Sequence, residues 1–377
     1  MSFTSATRHT SRAVAAASAL LLALVGCSSA PEESDPKPSE SAQASQTSEA
    51  SQSSTSQELI PPAEGTTKYP LTLKTSSGTS VLEKRPESVA LINHWDLGLL
   101  ASLGVTPIAG PETVSTQEWA YPQLAGEIET QWPWDFDNPY ALENIAQVKA
   151  DLFIDDGTLD DPARYGEISK IAPLLQSQDP GETTSWEERI RRIAEALDLS
   201  ERAEKVITDT KESAEKYRAD HPEFKDKTVA LFVVWGGKYG AAVLNSPDSP
   251  AEEFFESLGF AKNPKFAELP EDGKLSNELV GLLDADVIIA YNAQGEGVPG
   301  DSPEFDAYLE SPIFQQLPTA KAGKVITVSY DKDGNILVNG EDSHFKGHFG
   351  HALNGPDPLA IDAVREMFTP YLESAAK

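Results

Sequence analysis

The chain has 377 residues, with 60 Asp+Glu against 30 Lys+Arg and a formal charge of -30. That balance, with no Lys/Arg stripe anywhere, argues against a nucleic-acid partner. Its one cysteine, Cys27, lies near the amino terminus, so the remainder offers no disulfide, thiolate nucleophile or Cys-based zinc site.

In chain order, Arg8 and Arg12 precede an apolar run, 13–25, that is too short to span a bilayer comfortably and ends in Leu24-Val25-Gly26-Cys27. This resembles a bacterial lipoprotein signal, which implies removal of residues 1–26 and a lipid on Cys27. From 28 to about 57 the chain is Ser, Glu, Pro, Gln and Ala with no apolar period, so 27–60 is expected to be a disordered tether. No later segment offers about 20 consecutive apolar residues, so the resemblance implies a chain anchored to the membrane through Cys27 and not spanning it.

Residues 61–199 read as an α/β lobe. A short apolar strand at 88–92 leads into Asn93-His94-Trp95-Asp96, which opens a helix through Leu97, Leu99, Leu100 and Leu103 that Gly104 ends. The next strand starts at 107–110, and an aromatic loop follows. A helix at Leu142-Glu143-Asn144-Ile145 and a strand from Leu152 then run into Asp155-Asp156-Gly157-Thr158. An amphipathic helix covers 186–197.

A longer helix over 200–223 follows, with Ser200 as its N-cap. Its apolar stripe is Ala203, Val206, Ile207, Ala214 and Tyr217, and Glu201/Lys205 and Glu212/Lys216 are placed to pair at i,i+4. At 1.5 Å per residue it spans about 30 Å, enough to bridge two lobes.

Residues 224–377 start again with a strand at 228–235 and the turn Gly236-Gly237-Lys238-Tyr239-Gly240. A helix at 250–258 closed by Gly259, a helix-strand unit from Asn277, a strand at 323–329 and a final helix at 358–372 complete this lobe. That last helix shows Ala360, Ile361, Val364, Met367 and Phe368 on one face.

Two stretches repeat one pattern. After Glu143, Ile145 and Val148 stand two and five positions on; after Glu278, Val280 and Leu283 do the same, and each helix leads through an Ala-Asp turn into a continuous apolar strand. Such strands belong in a parallel sheet covered on both faces. The expected fold is α/β: two Rossmann-like lobes joined by a single long interlobe helix.

The succession Glu83-Lys84-Arg85-Pro86-Glu87-Ser88-Val89-Ala90, Asp96-Leu97, Leu103-Gly104-Val105-Thr106-Pro107, Leu142-Glu143-Asn144-Ile145 and Ala150-Asp151-Leu152 resembles the ferric-siderophore and cobalamin class (class III) of ABC-transporter substrate-binding lipoproteins. The resemblance covers roughly 69–372. It implies a monomeric, lipid-anchored receptor on the extracellular face of the bacterial cytoplasmic membrane, which captures a ferric siderophore between its lobes and delivers it to a permease. Iron would be bound only through its chelator, with no resident cofactor. It also implies that Glu143 and Glu278, one per lobe, dock on basic permease residues. Haem binding by the same fold, with His94, Tyr239 or His348 as axial ligand, stays open beside it, as does a cell-wall protein that has lost transport.

Ligands of open α/β sheets bind at the carboxyl ends of the strands. Those loops bring His94, Trp95, Trp119, Tyr121, Gln131, Trp132, Trp134 and Thr158 from the first lobe, and Trp235, Lys238, Tyr239, Tyr291, Asn292, Gln294 and Tyr330 from the second. Most of the six tryptophans fall in or beside these loops, which suits a bulky, partly apolar chelate; Trp132 or Trp134 is expected to seal the core instead. Phe345 and His348 belong with them, in Ser343-His344-Phe345-Lys346-Gly347-His348-Phe349-Gly350-His351. The two glycines predict a loop there and argue against a helical metal site from His344, His348 and His351. Basic residues near the predicted cleft are few, chiefly Lys238 and Lys346 with Arg164 at a distance, which fits neutral or cationic ferric hydroxamates better than tris-catecholates. No Gly-x-Ser-x-Gly elbow, P-loop or His-Glu-x-x-His is present, so an enzyme is not expected.

Overall fold

Apolar runs with almost no polar interruption build the central strands of the two large sheets. A computed structural model describes residues 58–133, 142–155, 162–177, 185–237, 239–293 and 303–376. The predicted lipidation site Cys27, and Trp134, Thr158, Lys238 and Gln294, lie outside the described residues.

The first described elements are a hairpin of β1 (Leu71–Lys74) and β2 (Thr79–Leu82) that the sequence pattern did not announce. Then come β3 (Val89–Leu91), α1 (Leu97–Ser102), β4 (Ala109–Pro111), β5 (Thr130–Trp132), α2 (Leu142–Gln147), β6 (Leu152–Asp155), α3 (Pro162–Ile168), β7 (Leu174–Gln176) and α4 (Trp186–Leu197). The sheet order is β5-β4-β3-β6-β7, all parallel. Alternate side chains divide between its faces. Val89, Leu91, Leu152 and Ile154 pack with α1 and α4, while Ala90, Ile92 and Phe153 pack with Ile145, Val148, Tyr165 and Trp132. Each large apolar side chain buried this way is worth roughly 1.5–3 kcal/mol, so a one-residue slip that swapped the faces would be strongly disfavoured.

After α5 (Ser200–Asp220), the second lobe contains β8 (Val229–Gly236), β9 (Gly240–Val243), α6 (Pro250–Leu258), β10 (Val287–Asn292), α7 (Pro303–Glu310), α8 (Pro312–Gln315), α9 (Pro318–Lys321), β11 (Val325–Tyr330), β12 (Asn335–Val338), β13 (Glu341–Lys346), α10 (Phe349–Asn354) and α11 (Pro358–Ala376). The order is β13-β12-β11-β10-β8-β9, with β8, β10 and β11 parallel and the edges antiparallel. Val229, Leu231, Val233, Val287 and Ile289 face α6, α10 and α11; Ala230, Phe232, Ile288 and Ala290 face Val280, Leu283, Phe305 and Phe314.

The internal repeat has a shared clamp. Asp151 Oδ2 accepts from the backbone N–H of Glu87 (2.9 Å) and Ser88 (3.1 Å), and Asp286 Oδ2 accepts from that of Thr228 (2.9 Å). Each Ala-Asp turn therefore ties the strand it starts to its neighbour. The helices differ: Leu142–Gln147 is α-helical, whereas Asn277–Leu283 is a 3-10 helix. Gly281 lies inside the second segment and weakens an α-helix there, and Ser276 engages the Glu278 carboxylate without capping the backbone.

α5 packs against α4, and further along against α6 and α11. Its N-cap is Leu199, not Ser200, because α4 ends at Asp198 in the left-handed conformation (φ 56°) and a one-residue link starts the new helix. The cap comes from far away in sequence: Glu64 accepts from the backbone N–H of Glu201 (2.6 Å) and Arg202 (2.9 Å). Asp198, 4% exposed, in turn accepts from the N–H of Gly65, Thr66 and Thr67, each at 2.8 Å. Ion pairs along α5 join Lys205 to Asp209 and Lys216 to Asp220 in place of the predicted Glu pairs. Such exposed pairs contribute too little to fix one choice from sequence.

Candidate functional site

The carboxyl end of β3 is a sharp turn held by buried polar groups. Asn93, fully buried, donates through Nδ2 to Asp155 Oδ1 at the end of β6 and accepts at Oδ1 from the Trp95 N–H (2.7 Å). Asp96 does not cap α1 with its side chain; its carboxylate instead accepts from Arg189 of α4 at 2.7 Å, with the pair 0% and 7% exposed. These contacts fix where His94 and Trp95 point.

Both rings meet the second lobe. The His94 ring lies 5.8 Å from His348 and 5.0 Å from His351, centroid to centroid, and Trp95 meets His351 edge-on at 4.3 Å. Gln117 Nε2 donates to the His94 carbonyl (2.7 Å) and lies 3.1 Å from His351 Nε2; Thr113 Oγ1 lies 3.1 Å from His94 Nδ1. The backbones approach closely here as well: a Cβ on Gly98 would sit 2.1 Å from the Asp357 carboxylate, and one on Gly355 2.5 Å from the Trp95 ring. Nearer the rim, Lys346 faces Glu118 across the lobes at 3.8 Å.

The second lobe holds its part of the site through Tyr330, whose hydroxyl accepts from the Phe349 N–H (2.9 Å) and lies 3.1 Å from the Tyr291 hydroxyl. Tyr291 itself is a correction to the sequence reading. At 1% exposed it packs in the second core, and Asn292 is buried beside it, because both belong to β10 and not to the loop after it. Trp132 is in the core of the first lobe. Trp119 is half-buried between both cores, Tyr121 packs on the first and Phe345 on the second. Trp235 (42% exposed) and Tyr239 (62%) stand out at the β8–β9 turn. The segment expected to be a loop around His344 is instead β13 followed by α10: His348 caps α10, His351 is 5% exposed and His344 is exposed with φ 65°. Gln117, Thr113 and Arg189 had no signal in sequence, since each is one polar residue whose partner comes from a distant part of the chain.

Electrostatically the junction favours uncharged rings. Burial, helped by His348, lowers the His94 pKa to about 4, and burial with His94, Arg189 and His348 holds His351 well below the ordinary histidine value. Asp357 is raised to about 6, burial outweighing the Leu359 and Ala360 N–H groups it accepts from. The signs follow from linkage. A histidine kept neutral in the fold takes up its proton only on unfolding, so stability falls as pH drops from about 6.5 toward 4, and Asp357 contributes in the opposite direction. His351→Gln is expected to flatten the slope of unfolding free energy against pH in that window. Urea titrations at pH 4.5 and 6.5 check this, and an unchanged slope would show that His351 does not carry it.

Each described cation at the junction has an acidic partner: Arg189 with Asp96, and Lys346 with Glu118. Arg164, on α3, pairs with Glu167. The arrangement presents aromatic faces, neutral imidazoles and amide groups, which suits a bulky ligand without net negative charge. Glu143 and Glu278 are exposed, on helices that pack in equivalent layers of the two lobes, over Ile145 and Val148 in one and Val280 and Leu283 in the other. No helix among the described residues is long and apolar enough to cross a membrane.

A family model described as periplasmic binding protein matches residues 89–331. Among solved structures, the chain is similar to a periplasmic solute binding protein of Mycobacterium smegmatis (21% identity, 81% of this chain and 99% of that one, TM-score 0.64). It is similar too to PiaA of Streptococcus pneumoniae in complex with ferrichrome (21%, 81% and 98%, TM-score 0.62), and to FhuD2 of Staphylococcus aureus with bound ferrioxamine B (19%, 77% and 99%, TM-score 0.56). No curated protein sequence matches.

Proposed function

The chain belongs to the periplasmic binding protein family, and from that premise we propose that it is a surface-anchored receptor that closes its two lobes on a ferric siderophore and delivers it to the permease of an ABC importer. Membership sets it among solute-binding transport components and not among enzymes. In this reading Cys27 carries the lipid anchor, iron enters only inside its chelator, the protein acts as a monomer, and Glu143 and Glu278 dock on basic permease residues.

The observation that carries the ligand class is the charge balance at the lobe junction. A tris-catecholate iron complex brings three negative charges, which call for several uncompensated cations; the described cations here already have carboxylate partners. Neutral or cationic ferric hydroxamates meet no such penalty. The ligands bound in the PiaA and FhuD2 structures, ferrichrome and ferrioxamine B, point the same way. The exposed aromatic groups of the β8–β9 turn, Trp235 and Tyr239, would supply broad faces for such a chelate.

Titrating the protein with ferric hydroxamate, catecholate and carboxylate siderophores is expected to quench tryptophan fluorescence at sub-micromolar concentration with the hydroxamates, and Trp235→Ala is expected to weaken that binding at least tenfold. A full panel without response sinks the proposal. A Soret band on haem addition, lost in His94→Ala or His348→Ala, would replace it with haem capture.

A further inference from the structure

On the side of the second lobe where α5, the 3-10 helix Pro222–Phe224 and α11 meet, three side chains converge that the ligand site does not use. His221 caps the end of α5, Glu223 lies in the 3-10 helix and Glu373 in the last turns of α11. Their ligand atoms all lie within 4.8 Å of one another. His221 Nδ1 is 3.2 Å from Glu223 Oε1 and 3.3 Å from Glu373 Oε1.

We propose that His221, Glu223 and Glu373 form a zinc-class divalent metal site that ties the carboxy-terminal helix to the end of α5. The spacing is the first argument. Metal–ligand bonds of about 2.0–2.2 Å at tetrahedral angles put neighbouring ligand atoms about 3.3–3.6 Å apart, and Nδ1 lies close to the short end of that range from both carboxylates, at 3.2 and 3.3 Å. Hydrogen bonding alone accounts for the pattern less well: Nδ1 carries at most one proton, and one proton cannot make two good hydrogen bonds at once. Two carboxylates held beside one nitrogen also need positive charge between them, and a divalent ion ligated by all three groups supplies more of it than one proton does.

Orientation is the second argument. The His221 ring packs against both Tyr217 (centroids 4.2 Å apart) and Phe224 (5.4 Å, planes 11° apart), which limits its movement before any ion arrives. At 16% exposed the imidazole is largely dry, whereas the carboxylates, at 36% and 40%, leave a side open for water as fourth ligand and for entry of the ion. The corner is firm without metal as well. Tyr217 Oη lies 2.7 Å from Thr369 Oγ1, and Arg365 stacks 5.5 Å from the Tyr217 ring centroid and donates to Ser213 Oγ at 2.9 Å. One nitrogen with two carboxylate oxygens suits Zn²⁺ better than Ca²⁺ or Mg²⁺, which take all-oxygen shells.

Competition of the purified protein against a chromophoric zinc chelator is expected to show one high-affinity Zn²⁺ per chain. His221→Gln, and separately Glu373→Gln, should lower its affinity at least tenfold, while His348→Gln, at the lobe junction, leaves it unchanged. Co²⁺ in place of Zn²⁺ should give the intense visible bands of a four-coordinate ion, lost in His221→Gln. Far-UV circular dichroism confirms that each variant is folded; Glu223→Gln, the mildest change, gives a second reading should another variant unfold. No bound zinc, zinc retained in all three ligand variants, or loss of zinc on His348→Gln alone would overturn the site. None of these outcomes bears on siderophore binding.

Discussion

Cells carrying Glu143→Ala and Glu278→Ala together are expected to lose ferric-siderophore uptake by at least tenfold, while the purified double variant binds its ligand and unfolds as the parent does. Both carboxylates are exposed, and each rides on a helix anchored by two buried apolar residues in its own lobe, so their removal opens no cavity. Glu278 is held below the ordinary carboxylate range, chiefly by Ser276, and stays ionised at any pH where transport runs. One charge per lobe gives a basic partner two fixed points, which set orientation as well as attraction. Each single variant should keep partial uptake because one point remains. Radiolabelled ferric siderophore uptake, beside fluorescence titration of the same variants, separates the two effects. Normal uptake by the double variant would end the docking assignment and leave the ligand proposal standing.

The second large effect is expected at the pair beneath Trp95. Asp96→Ala leaves the Arg189 guanidinium buried against a missing carboxylate, and breaking a buried pair from one side costs about 3–5 kcal/mol. Against a total stability of about 5–15 kcal/mol, that moves the urea midpoint far toward zero. Replacing both partners, as Asp96→Leu with Arg189→Met, removes the charge problem and should recover much of the loss. Ligand affinity should fall in the single variant too, because Arg189 also reaches the Trp95 carbonyl at 3.4 Å and so helps fix the ring. A single variant no less stable than the double one would mean that the pair is not the support we take it for.

The elements legible in sequence were those where several local rules agreed. The helix Trp186–Leu197 has a regular apolar stripe and Ser185 capping the Glu188 N–H, and its bounds could be read directly. The β12–β13 hairpin could not: Glu341-Asp342-Ser343-His344 is polar on both faces because this edge strand packs on little, and no period betrays it. Tyr291 was misplaced for a related reason. The repeated strand pattern stops at Ile289, which puts Tyr291 in the loop beyond, but β10 continues to Asn292 and the Tyr291 hydroxyl lies against Tyr330, so the ring packs as a core residue. At the junction, His94 and Trp95 were visible because a strand end followed by an aromatic turn is a local signal. Gln117 was invisible since its meaning depends on His351, 234 residues away.

The clip around Asp198 has a mechanical consequence. The start of the described chain is laid over the α4–α5 corner: three N–H groups of 65–67 converge on one carboxylate, Glu64 caps α5, and the Leu59 carbonyl accepts from the Thr106 N–H at 2.8 Å. A pull on the chain before residue 59 meets these bonds first, at the corner between two helices. It does not peel a strand or reach the facing rings of His94 and His348 directly. With the chain anchored through Cys27, as proposed above, tension on that anchor would fall on this corner and not on the lobe junction.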